Sequence, residues 1–341
     1  MRCAGKHHRW GCKTADLRKY FLILFIGLQA ILCAQIIVPY YRFMADDAPC
    51  FNTSEIKKRK IKSIVFDMVD KKDFQVAEDR DLSKHYEFDS LGRLTRSYYT
   101  VIKKIIQKDF YNAPVYRHHK LISAGGTYSK SIYEFDTLYT NYFYNSKNQM
   151  VGKRYNDGSY YNAMYYTYDE KGKLIKLLSC KETNANADKN VFTLGMQKVL
   201  FEEKYNYINA SANQYKQQYL NDEGRVFKES IVNLNAASQA TKISENYVAT
   251  WINQNTDLTY NDKGQLVEKK YTSNASENIV LDETYEYKNG LLDTEKHYKN
   301  ASILVETGYV NDSTGLLTSY VSRDYINKSM IIARLLYTYY P

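Results

Sequence analysis

The sequence predicts an all-β fold, an extended antiparallel meander of repeated β-hairpins in a single curved or wound sheet with about 25 residues per unit. Three observations predict it. Tyrosine is in excess, with 35 residues against 13 phenylalanines and 2 tryptophans, and its ring packs on a pleated surface while its hydroxyl reaches water. A short motif of aromatic residue, polar turn and apolar residue recurs along the chain. Helical periodicity is scarce, and only four prolines interrupt the strands.

Taken in order, the motif reads YEFDSLGRL (86–94), YFYNSKNQM (142–150), YTYDEKGKL (166–174), YLNDEGRV (219–226), LTYNDKGQL (258–266), YEYKNGLL (285–292) and YVNDSTGLL (309–317). The turn positions are Gly92, Asn148, Gly172, Gly224, Gly264, Gly290 and Gly315. Most spacings fall near 25 residues or twice that. The 40-residue step from Gly224 to Gly264 implies an insertion, and degenerate copies are expected near 125–128 and 190–195. In Tyr168 to Leu174, Asp169 suits the start of a type I turn and Gly172 the left-handed position of a G1 bulge, where a Cβ is penalised. That turn sets Tyr168 across from Leu174. By the same arithmetic Phe88 faces Leu94, Tyr144 faces Met150, Leu220 faces Val226 and Tyr260 faces Leu266, and a two-residue loop at Asn289-Gly290 sets Tyr287 opposite Leu292. Each pair contributes about 0.2–1 kcal/mol over alanine, so a column of them makes a core. A further Asp-Gly hairpin at 156–159 sets Tyr155 opposite Tyr160.

Two stretches, 191–207 and 247–253, have ambiguous spacing and are read as strands. Residues 46–81 are rich in Lys and Asp around one apolar segment, 61–69, and read as a linker and capping strand. The expected organisation is a leader over 1–34, a linker and capping strand over 35–83, and a hairpin-repeat domain over 84–341.

The tip motifs, above all Tyr168-Asp169 with Gly172 and Leu174, and Phe88-Asp89 with Gly92 and Leu94, resemble the YD or RHS repeats of bacterial cell-surface and secreted proteins. The short copy from Tyr287 to Leu292 is also similar to the tyrosine and Asn-Gly repeats of secreted MORN-type proteins. The resemblance implies a wound shell of β-hairpins outside the cell.

Residues 1–34 carry Arg2, Lys6, Arg9, Lys13, Arg18 and Lys19 against Asp16, followed by an apolar run from Phe21 to Cys33 and then Ala34. This is the order of a secretory signal peptide. An uncleaved membrane anchor and lipidation at Cys33 are the alternatives. All three export the rest of the chain to a periplasmic, outer-surface or secreted location, and only an uncleaved segment would touch the membrane. The leader also holds most of the formal charge of +9, which leaves too small a basic footprint for a nucleic-acid partner. Cys50 and Cys180 remain, either as one disulfide or as two buried thiols.

No catalytic, phosphate-binding or metal motif stands out. His118 and His119 are adjacent and point to opposite faces of a strand, Gly125-Gly126 reads as a turn, and neither a metal nor another cofactor is called for. Asp89, Asp169, Asp222 and Asp262 sit at turns, where they nucleate the tips. The cluster Tyr160, Tyr161 and Tyr165 is the candidate aromatic platform. The expected function is non-catalytic: an exported cell-envelope repeat protein whose faces and edges offer a binding or scaffolding surface to a protein or glycan. The alternative is a cell-wall polymer hydrolase whose carboxylates converge from different repeats.

Overall fold

A computed structural model describes residues 35–39, 49–156, 160–188, 191–211, 213–275 and 279–341. The leader, Cys33 included, lies outside the described residues. Among the described residues one helical segment, α1 (Thr53–Lys58), precedes twenty strands. They are β1 (Ile61–Lys72), β2 (Glu78–Phe88), β3 (Leu94–Asn112), β4 (Val115–Arg117), β5 (Lys120–Ser123), β6 (Gly126–Tyr144) and β7 (Met150–Asn156). Next come β8 (Tyr161–Tyr168), β9 (Leu174–Asn184), β10 (Leu194–Ser211), β11 (Gln214–Leu220), β12 (Val226–Leu234), β13 (Ala240–Tyr247) and β14 (Ile252–Tyr260). The last are β15 (Leu266–Ser273), β16 (Ile279–Lys288), β17 (Leu291–Lys299), β18 (Ser302–Asn311), β19 (Leu317–Asp324) and β20 (Ser329–Tyr339).

The meander of antiparallel hairpins is present, and it closes. Eighteen strands form one sheet in which each pairs with its neighbour in sequence, β4 and β5 making a separate hairpin between β3 and β6. The last strand then returns to the first: β20 pairs with β1 from Ile61↔Tyr339 to Lys72↔Ser329. Since β1 also pairs with β2, the sheet is a barrel without a free edge. This corrects the open or wound YD/RHS-like array. A repeat solenoid keeps two terminal edges, whereas here both end strands are consumed by the β1–β20 ladder.

The segment 35–83, expected as linker and capping strand, supplies α1, the first ring strand β1 over its apolar stretch, and the start of β2. The stretch 191–207 is mostly β10, and 247–253 is the end of β13, a turn and the start of β14.

Successive connections alternate between the two rims of the barrel. Gly92, Asn148, Gly172, Gly264, Gly290 and Gly315 lie on one rim, each at positive φ, while Gly224 (φ 78) lies on the other. The 40-residue step is therefore no insertion. A tip at Asn235 to Gln239 falls within it, with Ser238 in the left-handed position (φ 60). The five-residue tips share one construction: the first residue, Asp or Asn, accepts backbone N–H bonds with its side chain, as Asp89 does from Leu91 and Arg93 and Asn235 from Ala237 and Gln239. The aromatic and aliphatic pairs are found at Phe88↔Leu94, Tyr144↔Met150, Tyr168↔Leu174, Leu220↔Val226, Tyr260↔Leu266 and Tyr287↔Leu292. At 156–159 the register differs from expectation by two residues: Tyr155 faces Asn162, not Tyr160, and Asn156 faces Tyr161, and 157–159 lie outside the described residues.

Strand alternation gives the ring two faces. One carries the buried side chains Ile64, Phe66, Tyr86, Phe88, Val232, Ile243, Leu258, Leu292, Leu317 and Leu335, and α1 with Ile36 and Ile56 packs on it. This is the lumenal face. The opposite face carries ion pairs between adjacent strands, including Lys216 with Glu229 at 2.7 Å and Lys242 with Asp257 at 3.7 Å.

Candidate functional site

The rim that carries Gly92 is stoppered. Residues 35–38 and 50–52 run antiparallel through Ile37 and Phe51, and the chain then turns into α1, capped by Asn52. Phe51 packs edge-on against Tyr86 and Phe88. Arg59 reaches the neighbouring tip, donating to the Thr314 carbonyl at 2.8 Å, and α1 lies so close to the other tip that a Cβ on Gly92 would stand 2.4 Å from the Thr53 carbonyl oxygen.

Behind this rim the tyrosines act as latches. The hydroxyls of Tyr144, Tyr168, Tyr260, Tyr287 and Tyr337 donate to the carbonyls of Leu94, Met150, Ala240, Leu266 and Leu317, each the first residue of a neighbouring hairpin arm. Glutamines join adjacent tips in the same way: Gln149 to Gly172, Gln239 to Gly264 and Gln265 to Gly290. Between the latches and the strap 35–39 lies a cavity of about 540 Å³, lined by Gln35 and Val38 on one side and by Tyr215, Leu234, Tyr260, Lys263, Leu266 and Tyr287 on the other.

A chain of charges crosses the lumenal face beside it. Lys269 of β15 pairs with Glu283 of β16 at 2.7 Å, and the Tyr285 hydroxyl donates to the same carboxylate. His297 of β17 lies 2.6 Å from Glu295, whose other oxygen accepts from Tyr309 at 2.7 Å. Burial works against a charge on His297, but the bond to Glu295 and the charges of Glu295 and Glu283 outweigh it, so the imidazole titrates above its ordinary value. Burial likewise opposes the Glu295 carboxylate, and the bonds from His297 and Tyr309 hold it below the usual range. Of these groups the sequence singled out the tyrosines as repeat positions and His297 as a lone histidine in a strand, but not Lys269, Glu283 or Glu295. The signal was strand alternation, which puts Glu283 on the same face as Tyr285 and Tyr287.

Of the predicted platform residues, Tyr161 and Tyr165 share one face of β8 beside Glu182, and Tyr160 precedes the strand. Tyr160 is exposed, with the Lys181 ammonium 4.0 Å from its ring centre. Tyr161 is buried against Phe192, and Tyr165 donates to Glu182, which also binds Arg154 at 2.8 Å. Cys50 and Cys180 are both free thiols, raised above the ordinary value by burial. His118 and His119 form the two-residue loop between β4 and β5, both at positive φ.

No protein-family model matches this chain, and no curated protein does. Among solved structures it is similar to a porin-like protein from Bacteroides uniformis, at 10% identity and a TM-score of 0.35, over 82% of this chain and 98% of that one.

Both functional expectations need correction. A scaffold offering sheet edges is set aside because the ring leaves no edge to offer. The hydrolase alternative fails on its own requirement: Glu283 and Glu295 do converge, but each is already engaged by lysine, histidine or tyrosine.

Proposed function

We propose that this protein is a water-walled β-barrel of the cell envelope that holds a small ligand in its lumen, without catalysing its conversion. The observation that carries this reading is the division between the faces. Lys216, Lys242 and Lys270 stand on the outer face, where a lysine at the middle of a bilayer costs about 2–4 kcal/mol. Half-exposed ion pairs, worth about 0–1 kcal/mol each, do not offset that. The inner face instead offers the cavity under the strap, its lining mixed, with Val38, Leu234, Ala240 and Leu266 beside Gln35, Gln239, Lys263 and Gln265. An envelope location rests on the basic and apolar leader.

The test is titration with N-phenyl-1-naphthylamine, an uncharged apolar probe. Saturable binding at one site is expected, lost in Ala240→Trp, which fills the cavity, while the melting temperature stays within a few degrees. Binding unchanged by that variant contradicts the reading.

A membrane channel is the second reading, favoured by an even-numbered closed ring with short turns on the stoppered rim and two longer connections, 113–125 and 185–193, on the other. Stepwise conductance in planar bilayers supports it and overturns the water-walled barrel.

A further inference from the structure

Beyond the open rim, β3 and β6 continue as a two-stranded arm. Their ladder runs from Arg96↔Asn141 to Asn112↔Gly126, while β2 stops pairing with β3 at Lys84↔Tyr99 and β7 with β6 at Thr140↔Tyr155. Above those levels no described strand pairs along either edge of the arm, although the Tyr133 hydroxyl still donates to Glu78 at the start of β2 at 2.7 Å. An isolated ribbon in water is marginal, and it normally hides its apolar residues. This one displays them on both faces: Ile105 and Tyr111 on one, Phe110 and Tyr128 on the other. At its end Tyr116 is 64% exposed and Ile122 60%.

The charge is one-sided as well. Lys103, Lys104, Lys108, Arg117, Lys120 and Lys130 outnumber Asp109, Glu134 and Asp136. Asp109 is occupied by Ser129.

We propose that the arm docks at an anionic lipid surface, its tip lying in the headgroup region. A protein partner seated on one face would leave the other apolar face in water, whereas an interface surrounds both. Tyrosine suits that boundary because its ring is apolar and its hydroxyl polar, and lysine and arginine reach the headgroups from their apolar stems. The barrel wall stays in water, so the contact is peripheral and independent of what the lumen holds.

The leader is itself apolar, so the readout belongs on the arm. Tyr116→Trp in the full chain, with Trp10→Phe and Trp251→Phe so that the arm carries the emission, is titrated with vesicles of phosphatidylglycerol or phosphatidylcholine. A blue shift of the added tryptophan is expected with phosphatidylglycerol only, and Arg117→Glu with Lys120→Glu should weaken it by roughly tenfold or more. The proposal is overturned by no shift with phosphatidylglycerol, by an equal shift with both lipids, or by a shift without vesicles that grows with protein concentration, which would mark pairing between two arms.

Discussion

The two rims use the same turn and carry different loads. Gly92 on the stoppered rim and Gly224 on the open rim have φ of 79° and 78°, so their backbones ask the same of the residue. Around Gly224 a Cβ meets nothing within 4 Å, whereas at Gly92 it meets the backbone of α1. Turn chemistry thus shapes both rims, and packing distinguishes them.

Behind the stoppered rim, breaking the buried charge chain has the largest expected effect. Lys269→Met removes the lysine 2.7 Å from Glu283, leaving only His297 at 3.8 Å, and should cost about 3–5 kcal/mol in chemical denaturation. Restoring balance with Glu283→Leu in the same chain should recover most of it. Next comes the glycine comparison itself. Gly224→Ala incurs only the left-handed penalty of about 1–2 kcal/mol, and Gly92→Ala should exceed it by about 1–3 kcal/mol because α1 must shift. Equal losses would show that the stopper does not press on that tip. Smaller still, Tyr287→Phe removes a latch and should cost about 0.5–1.5 kcal/mol, while Tyr160→Phe should be near neutral.

The pH dependence has two limbs. His297 titrates above its unfolded value, so its contribution is full below about pH 6.5 and is lost as pH rises through the folded value. Glu295 titrates below its unfolded value, so its contribution is present above the ordinary carboxylate range and lost as pH falls through the folded value. Stability should therefore decline above neutrality in the parent, and His297→Gln should flatten that limb.

The hairpins were legible because each is local: Tyr168, Asp169, Gly172 and Leu174 lie within seven residues. Closure was not, because β1 and β20 meet across most of the chain and neither carries a tip motif at that seam. Ser238 hid a tip because it replaces the expected glycine, although Asn235 with Gln239 repeats the pattern of Asn145 with Gln149 and Asn261 with Gln265. The charge chain was hidden for a different reason: Lys269, Glu283 and His297 acquire meaning only once three strands are in register.

Ring closure is the claim on which the lumen depends, and a disulfide across the seam tests it directly. Ser63 and Thr338 face each other with their hydroxyl oxygens 2.7 Å apart. Ser63→Cys with Thr338→Cys should cross-link on mild oxidation, as should the hairpin control Ser244→Cys with Asn255→Cys. A closed barrel gives both cross-linked peptides by mass spectrometry. Cross-linking in the control alone would mean that the sheet is open and that the lumen described above does not exist.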